Sequence, residues 1–226
     1  MAKVNEIIYD VREALKQFSD DSEISDRYIL YLYNNKRSKY LRQDLNNYLK
    51  TADNSIQQSF CISIEEVSVN ECSISFDCET IMRTTTKIPT PLELHSKTAI
   101  TKVKPSIKIA LPFNFISKEK AYYLEGSKFP NSIYSFLDVD GYIYLYSKSP
   151  VAKLMECINI TGIFENPSSL SDFREGCSDT SPSCFNEAIS EYPLQPHYID
   201  LIRKEIVQDL MNESQNKEDK TNNSTD

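Results

Sequence analysis

Apolar side chains in this 226-residue chain keep a helical period at both ends and a two-residue period in between. That change of period sets the fold class, because the two patterns bury a face only in different kinds of secondary structure. Near the N-terminus, Val4, Ile7, Ile8, Val11, Leu15 and Phe18 fall on one face of a helix over residues 3–18, with Glu6, Asp10 and Glu13 opposite. Ser19-Asp20-Asp21-Ser22 ends it with turn-forming side chains. Ser25 suits an N-cap and Asp26 the positive end of a helix dipole, so a second helix is expected over 26–49. Its run from Tyr28 to Tyr33 is apolar or aromatic on every side, which asks for neighbours all round. At the far end, Ile199, Ile202, Ile206 and Leu210 mark the buried stripe of a third helix over 197–211. Residues 212–226 hold no aliphatic or aromatic side chain and cannot order themselves by burial.

Between the helices the alternation predicts strands. Phe60, Ile62 and Ile64 alternate with polar residues, the phase slips at Glu65-Glu66, and Val67 and Val69 resume it, which reads as a β-bulge. Cys72, Ile74, Phe76 and Cys78 alternate likewise, so a hairpin is expected around Asn70-Glu71. Residues 84–98, with Pro89 and Pro91, read as an extended arm. Val103, Ile107, Ile109 and Leu111 predict a strand that Pro105 confines to an edge or a bulge. Residues 133–137 and 142–146 flank Asp138-Val139-Asp140-Gly141, the strongest hairpin signal in the chain. Residues 158–164 are apolar on both faces, as in a central strand, and a polar loop follows over 165–183.

The expected class is α+β: an N-terminal helical hairpin, a mostly antiparallel β middle region and a C-terminal helix with an extended tail. The expected divisions are a helical region over 1–55, a β-rich region over 56–165 with its arm near 84–98, a loop region over 166–196, and the helix with its tail over 197–226.

The motifs that carry chemistry are mostly missing. Two His and four Gly leave little for a nucleotide cradle or a titrating base. No G-x-S-x-G or G-x-x-x-x-G-K occurs, and Glu65 and Glu66, adjacent on a strand, point to opposite faces. Asp138 and Asp140 resemble the start of a calcium loop, but the twelfth position is Ser149. Without a C-x-x-C pair a zinc site is not expected, and no cofactor is predicted. Cys61, Cys72, Cys78 and Cys157 sit in strand patterns as small apolar residues, while Cys177 and Cys184 flank a loop and can pair under oxidising conditions. The N-terminus lacks the apolar core of a signal peptide, and no stretch approaches the ~20 apolar residues of a span, so a soluble chain made in a cytoplasm, with no membrane partner, is expected.

A net charge of -8 argues against a general nucleic-acid binder. Lys36, Lys39 and Arg42 nevertheless recur every three residues on the second helix, with Arg37 nearby. A solvated face is the plain account of them. The alternatives are an acidic surface on a neighbour or, in a small DNA-binding regulator, phosphate. A hydrolase with an unfamiliar site would need a convergent acid or His pair, and none is legible.

Three segments carry a family resemblance: Val4-Asn5-Glu6-Ile7-Ile8-Tyr9-Asp10-Val11-Arg12-Glu13, then Asp20 through Ile29, then Lys36-Arg37-Ser38-Lys39-Tyr40-Leu41-Arg42-Gln43. Together they resemble the N-terminal region of head–tail connector proteins of tailed phages, in particular the portal-attached ring proteins of crAss-like phages. Ile163-Phe164-Glu165-Asn166-Pro167 and the ending from Lys217 to Asp226 add to it, whereas residues 84–130 match nothing in that pattern. The resemblance implies a structural subunit with no catalytic role, in a homo-oligomeric and dodecameric ring beneath the portal. Such a ring links capsid to tail, meets other neck or tail ring proteins, and surrounds DNA that passes without being read. It also implies a virion protein of the neck or tail, assembled in the host cytoplasm. Tyr28, Leu32, Lys36, Lys39 and Arg42 on the second helix, and Ile202, Ile206 and Leu210 on the third, are the expected partner interface. The third helix and tail are expected to leave the subunit's own core and dock on a neighbour.

Overall fold

The computed structural model describes residues 2–16, 24–47, 54–72, 76, 78–95, 98–106, 111–124, 132–178, 180–187 and 189–222. The chain divides into two compact units, Met1–Ile56 with Asn186–Asp226, and Gln57–Phe185. The α+β class holds, with helices at both ends and a mostly antiparallel seven-stranded sheet between them in sequence.

The first unit is built on three helices: α1 (Val4–Lys16), α2 (Asp26–Asn47) and α4 (Pro196–Asn222), α3 lying in the sheet unit. α1 buries Val4, Ile7, Val11 and Leu15, the stripe its spacing predicts. α2 begins at Asp26, where Ser25 Oγ accepts from the Tyr28 amide at 3.3 Å. α4 packs on both α1 and α2 and buries Ile202, Ile206 and Leu210. This corrects the expectation that the third helix leaves the core. The apolar faces of α1 and α2 need a third element to cover them, and the α4 stripe is the one the chain supplies. Each large aliphatic so buried contributes about 1.5–3 kcal/mol. The helical backbone also runs on to Asn222, past the predicted end at 211. A polar segment continues a helix when the helix is already nucleated by packing further back. The segment before α4 closes the unit. The Tyr192 amide donates to Ala2 O at 3.0 Å, and Lys3 bridges Glu191.

In the second unit the sheet order is β3-β7-β1-β2-β6-β5-β4. β1 (Gln58–Ser68) is central, and its register explains the slip at Glu65-Glu66. Residues 58–63 pair with β7 (Cys157–Gly162), and residues 64–68 pair with β2 (Thr80–Thr84), both without a break in register. The slip marks a change of partner rather than a bulge. The antiparallel partner of the second half of β1 is thus β2, after a connection over residues 69–79 that opens with a 3-10 turn at Val69–Glu71. The strand expected at 72–78 falls partly outside the described residues, and Cys72, Phe76 and Cys78 are not in a strand. Phe76 instead packs on Tyr146 and Tyr122, with ring centroids 4.9 Å away in each case.

The arm at 84–98 is extended but docked. Ile88 and Leu92 are buried, Leu92 N donates to Ile163 O at 2.8 Å, and Pro91 bridges Phe164. β3 (Ile100–Pro105) lies at one edge, as Pro105 requires. Residues 107–110 of that predicted strand lie outside the described residues. β4 (Asn114–Phe115) forms the other edge and makes the parallel pairing of the sheet, with β5 (Tyr134–Leu137). β5 and β6 (Ile143–Tyr146) form the expected hairpin, turning at Gly141 with φ 85°. Asp140 caps that turn by accepting from the Tyr142 amide at 3.0 Å and from the Tyr144 hydroxyl at 2.6 Å. The buried Asp138 carboxylate pairs with Lys118 of α3 (Lys118–Leu124) at 2.6 Å. Both acids are thus engaged in holding the hairpin. β7 is central, between β3 and β1, as its two apolar faces predict.

Candidate assembly surface

α2 has two distinct sides. Ile29, Tyr33, Arg37 and Leu41 are buried at four-residue steps along one of them. Tyr33 donates its hydroxyl to Ile199 O at 3.0 Å, and its ring meets Tyr192 edge-on at 6.0 Å. Arg37 is completely buried. Its Nε donates to Pro193 O at 2.9 Å and its guanidinium lies 5.9 Å from the Tyr192 ring centroid. Burial lowers the pKa of that guanidinium from its ordinary value, and Tyr192 opposes the change. The Tyr192 hydroxyl in turn donates to Asn34 Oδ1 at 2.8 Å. A charged residue one step from the basic pattern is therefore a core residue that locks the 192–193 segment against α2.

A polar seam runs beside this core. Lys36 Nζ pairs with Asp209 at 2.6 Å and Glu205 at 3.1 Å. Asp209, ahead of Glu205, holds the Lys36 ammonium above its ordinary pKa, against the opposing effect of burial. Tyr40 donates its hydroxyl to Glu205, which with Lys36 keeps that carboxyl below its ordinary range. Tyr40 also stacks on Tyr198 at 5.3 Å, and Tyr198 donates to Asp44 Oδ2 at 2.5 Å.

The outer side carries Tyr28, Tyr31, Asn35, Lys39 and Gln43, spaced by three and four residues and all exposed. Tyr28 and Tyr31 stack at 6.4 Å and are 39% and 59% exposed. Lys39 holds its ammonium 5.5 Å from the Tyr40 ring centroid. Leu32 and Arg42 are half-buried. The basic residues 36, 39 and 42 are therefore not one stripe. A three-residue step drifts by about 60° around a helix, so Lys36 reaches the seam while Lys39 reaches the surface. Ile202, Ile206 and Leu210 belong to the interior of this unit and are not available on its surface. The outward position of Tyr31 was not legible from the sequence, and neither was the seam, although Glu205 and Asp209 stand at i and i+4 opposite a lysine helix.

In the sheet unit the disulfide partner of Cys177 is Cys61 rather than Cys184, with a Cα–Cα distance of 5.2 Å. Burial, with Glu175 second, pushes the Cys184 thiol up to about 12. His95 and His197, the residues a triad would need, fall in different units. Among the described residues no helix is long and apolar enough to cross a membrane.

An exposed aromatic and polar helix face on a well-filled bundle is the kind of surface structural proteins use to meet other proteins. Comparison with known proteins defines the class. The family model described as phage tail ring protein 2 matches residues 6–226. Ring protein 2 of Bacteroides phage crAss001 is 27% identical over 226 residues, spanning 98% of this chain and 96% of the relative. The chain belongs to the phage tail ring protein 2 family.

Proposed function

We propose that this chain is a structural subunit of a head–tail connector ring, with no chemistry of its own. In this reading it binds the portal, links capsid to tail, and surrounds the DNA passage as a dodecamer among other neck or tail rings. It acts in the virion after assembly in the host cytoplasm. Family membership carries the reading, and the outer face of α2 gives it a physical basis. A ring is closed by heterologous contacts, one face of a subunit on a different face of the next. Tyr28, Tyr31 and Lys39, with Leu32 and Arg42 at the margin, form the face assigned here to a neighbour. Stacked tyrosines offer large apolar area at little cost in conformational entropy.

The same geometry disfavours a DNA-binding regulator. Lys36 is already engaged by Asp209 and Glu205. The chain carries a net charge of -8, and such a surface lets a polyanion pass rather than gripping it.

The end of the chain is assigned a docking role. Ile202, Ile206 and Leu210 close the subunit's own bundle, whereas Asn212 and Glu213 are exposed and residues 212–226 are polar throughout. A polar segment at the end of a packed helix can cover a large partner surface when it binds. Truncation after Met211 tests the assignment. The shortened chain is expected to keep the thermal midpoint of the full chain and to bind a portal assembly at least tenfold more weakly, a loss of about 1.4 kcal/mol. Undiminished portal binding by the truncated chain contradicts the assignment.

A further inference from the structure

Three cysteines far apart in sequence meet on one face of the sheet. Cys61 lies on β1 and Cys157 opens β7, and the register pairs Cys61 with Asn159 and Ser63 with Cys157. Directly opposed residues share a face and the face repeats every second residue, so Cys61 and Cys157 are diagonal neighbours on the same side. The third comes from the loop after β7. Cys61 N donates to Arg174 O at 2.8 Å, which fastens that loop along β1. Arg174 then bridges Ser183, and Glu175 N donates to Pro182 O at 3.1 Å, so the loop folds back on itself. It closes so tightly at Gly176 that a β-carbon there would come within 2.5 Å of Ser181 Oγ. Cys177 follows directly and is set over the sheet. The sulfurs of Cys61, Cys157 and Cys177 all lie within 4.8 Å of one another.

We propose that in the reduced chain, with the Cys61–Cys177 disulfide opened, Cys61, Cys157 and Cys177 form a thiolate site for a structural zinc ion. A disulfide between Cys61 and Cys177 uses two of these sulfurs and leaves the third thiol beside it, where exchange between pairings is open. One cation satisfies all three together. Zn–S bonds of ~2.3 Å in a tetrahedral shell put the sulfurs ~3.8 Å apart, so the Cys61 and Cys177 sulfurs separate on reduction while Cys157 already lies within 4.8 Å of both. A thiol reductant first opens the Cys61–Cys177 bond, taking it from disulfide to two thiols with two electrons and two protons and itself leaving as a disulfide. Binding to the reduced trio then breaks three S–H bonds, releases three protons to solvent and forms three S–Zn bonds, with no further change of oxidation state. The product has one net negative charge, and Lys87 and Arg174 line the groove that opens beside Cys61 and Cys177. The fourth position belongs to water from that groove. The role is structural. The ion would tie the 173–184 loop to β1 and β7, which the backbone bonds from Cys61 to Arg174 and from Cys184 to Phe173 do only at single points.

The test uses the full chain purified under reducing conditions and analysed for metal. About one zinc per chain is expected, bound by three thiolates in a tetrahedral site. Cys157→Ser and Cys177→Ser should each lower zinc content at least tenfold, while Cys78→Ser, outside the trio, should leave it unchanged. Cobalt added to the metal-free chain should give the thiolate-to-cobalt absorption of a tetrahedral site, and the Cys157→Ser chain should not. Chelation should lower the thermal midpoint and zinc should restore it. A metal-free chain that takes up neither zinc nor cobalt and carries a Cys61–Cys177 disulfide by mass spectrometry overturns the proposal. So does zinc that survives Cys157→Ser undiminished.

Discussion

Replacing Ile206 with Ala is expected to unfold the helical unit before it affects any partner. Ile206 is fully buried on α4, with Ile202 beside it in the same stripe. Loss of its branched side chain removes buried methyl groups and leaves a cavity between three packed helices, a change that costs about 2–5 kcal/mol. The denaturation midpoint of the isolated subunit should fall accordingly. Leu201 is the control, because it lies on the same helix, next to Ile202, and is 41% exposed. Leu201→Ala should shift stability by no more than about 0.5 kcal/mol. If Ile206→Ala left the midpoint in place and weakened only assembly, the stripe of α4 would be facing a partner, and the bundle described above would be wrong.

The opposite behaviour is expected on the outer face of α2. Tyr28→Ala combined with Tyr31→Ala removes two exposed rings that stack on each other. Stability should change by less than about 1 kcal/mol. If the pair anchors a neighbouring subunit, each ring is a centre of binding energy worth about 2 kcal/mol, and loss of both should weaken subunit association by roughly a thousandfold. Sedimentation of wild type and double variant over a concentration series reads this directly. Equal association of the two places the ring contact elsewhere. Lys39→Glu probes the neighbour's charge on the same face, and an acidic partner surface predicts a further weakening that high salt reduces.

Why the two faces of α2 behave differently was only half legible in the sequence. Six successive apolar or aromatic residues, Tyr28 to Tyr33, erase the phase that normally tells the inside of a helix from its outside. The inside is set by tertiary packing. Ile29, Tyr33 and Leu41 are chosen because α4 carries Ile202, Ile206 and Leu210, and because Arg37 finds Pro193 O and the Tyr192 ring. α1 was legible because its apolar side chains leave no such ambiguity. The β5–β6 hairpin was legible because Asp140-Gly141 fixes a turn within four residues. The partners of β1 were not, since a strand that changes neighbour midway produces the same slip in alternation as a bulge. α3 was missed because seven residues with only Ala121 buried give no periodic stripe to read. The cysteine trio was hidden for a related reason. Spacing rules find ligands that share a loop, whereas here strand pairing brings positions 61 and 157 together and a loop returns position 177 to them.

Closure of this chain into a ring is tested most directly by native mass spectrometry of the purified chain, alone and mixed with a portal assembly. A discrete closed multimer is expected, with no ladder of open intermediates, because heterologous contacts that complete a circle leave no free face. Its subunit number should match a dodecamer when the portal is present. The Tyr28→Ala, Tyr31→Ala chain should fall back to monomer in the same measurement. A wild-type chain that stays monomeric under both conditions, at concentrations well above those of the assembled state, contradicts the ring reading.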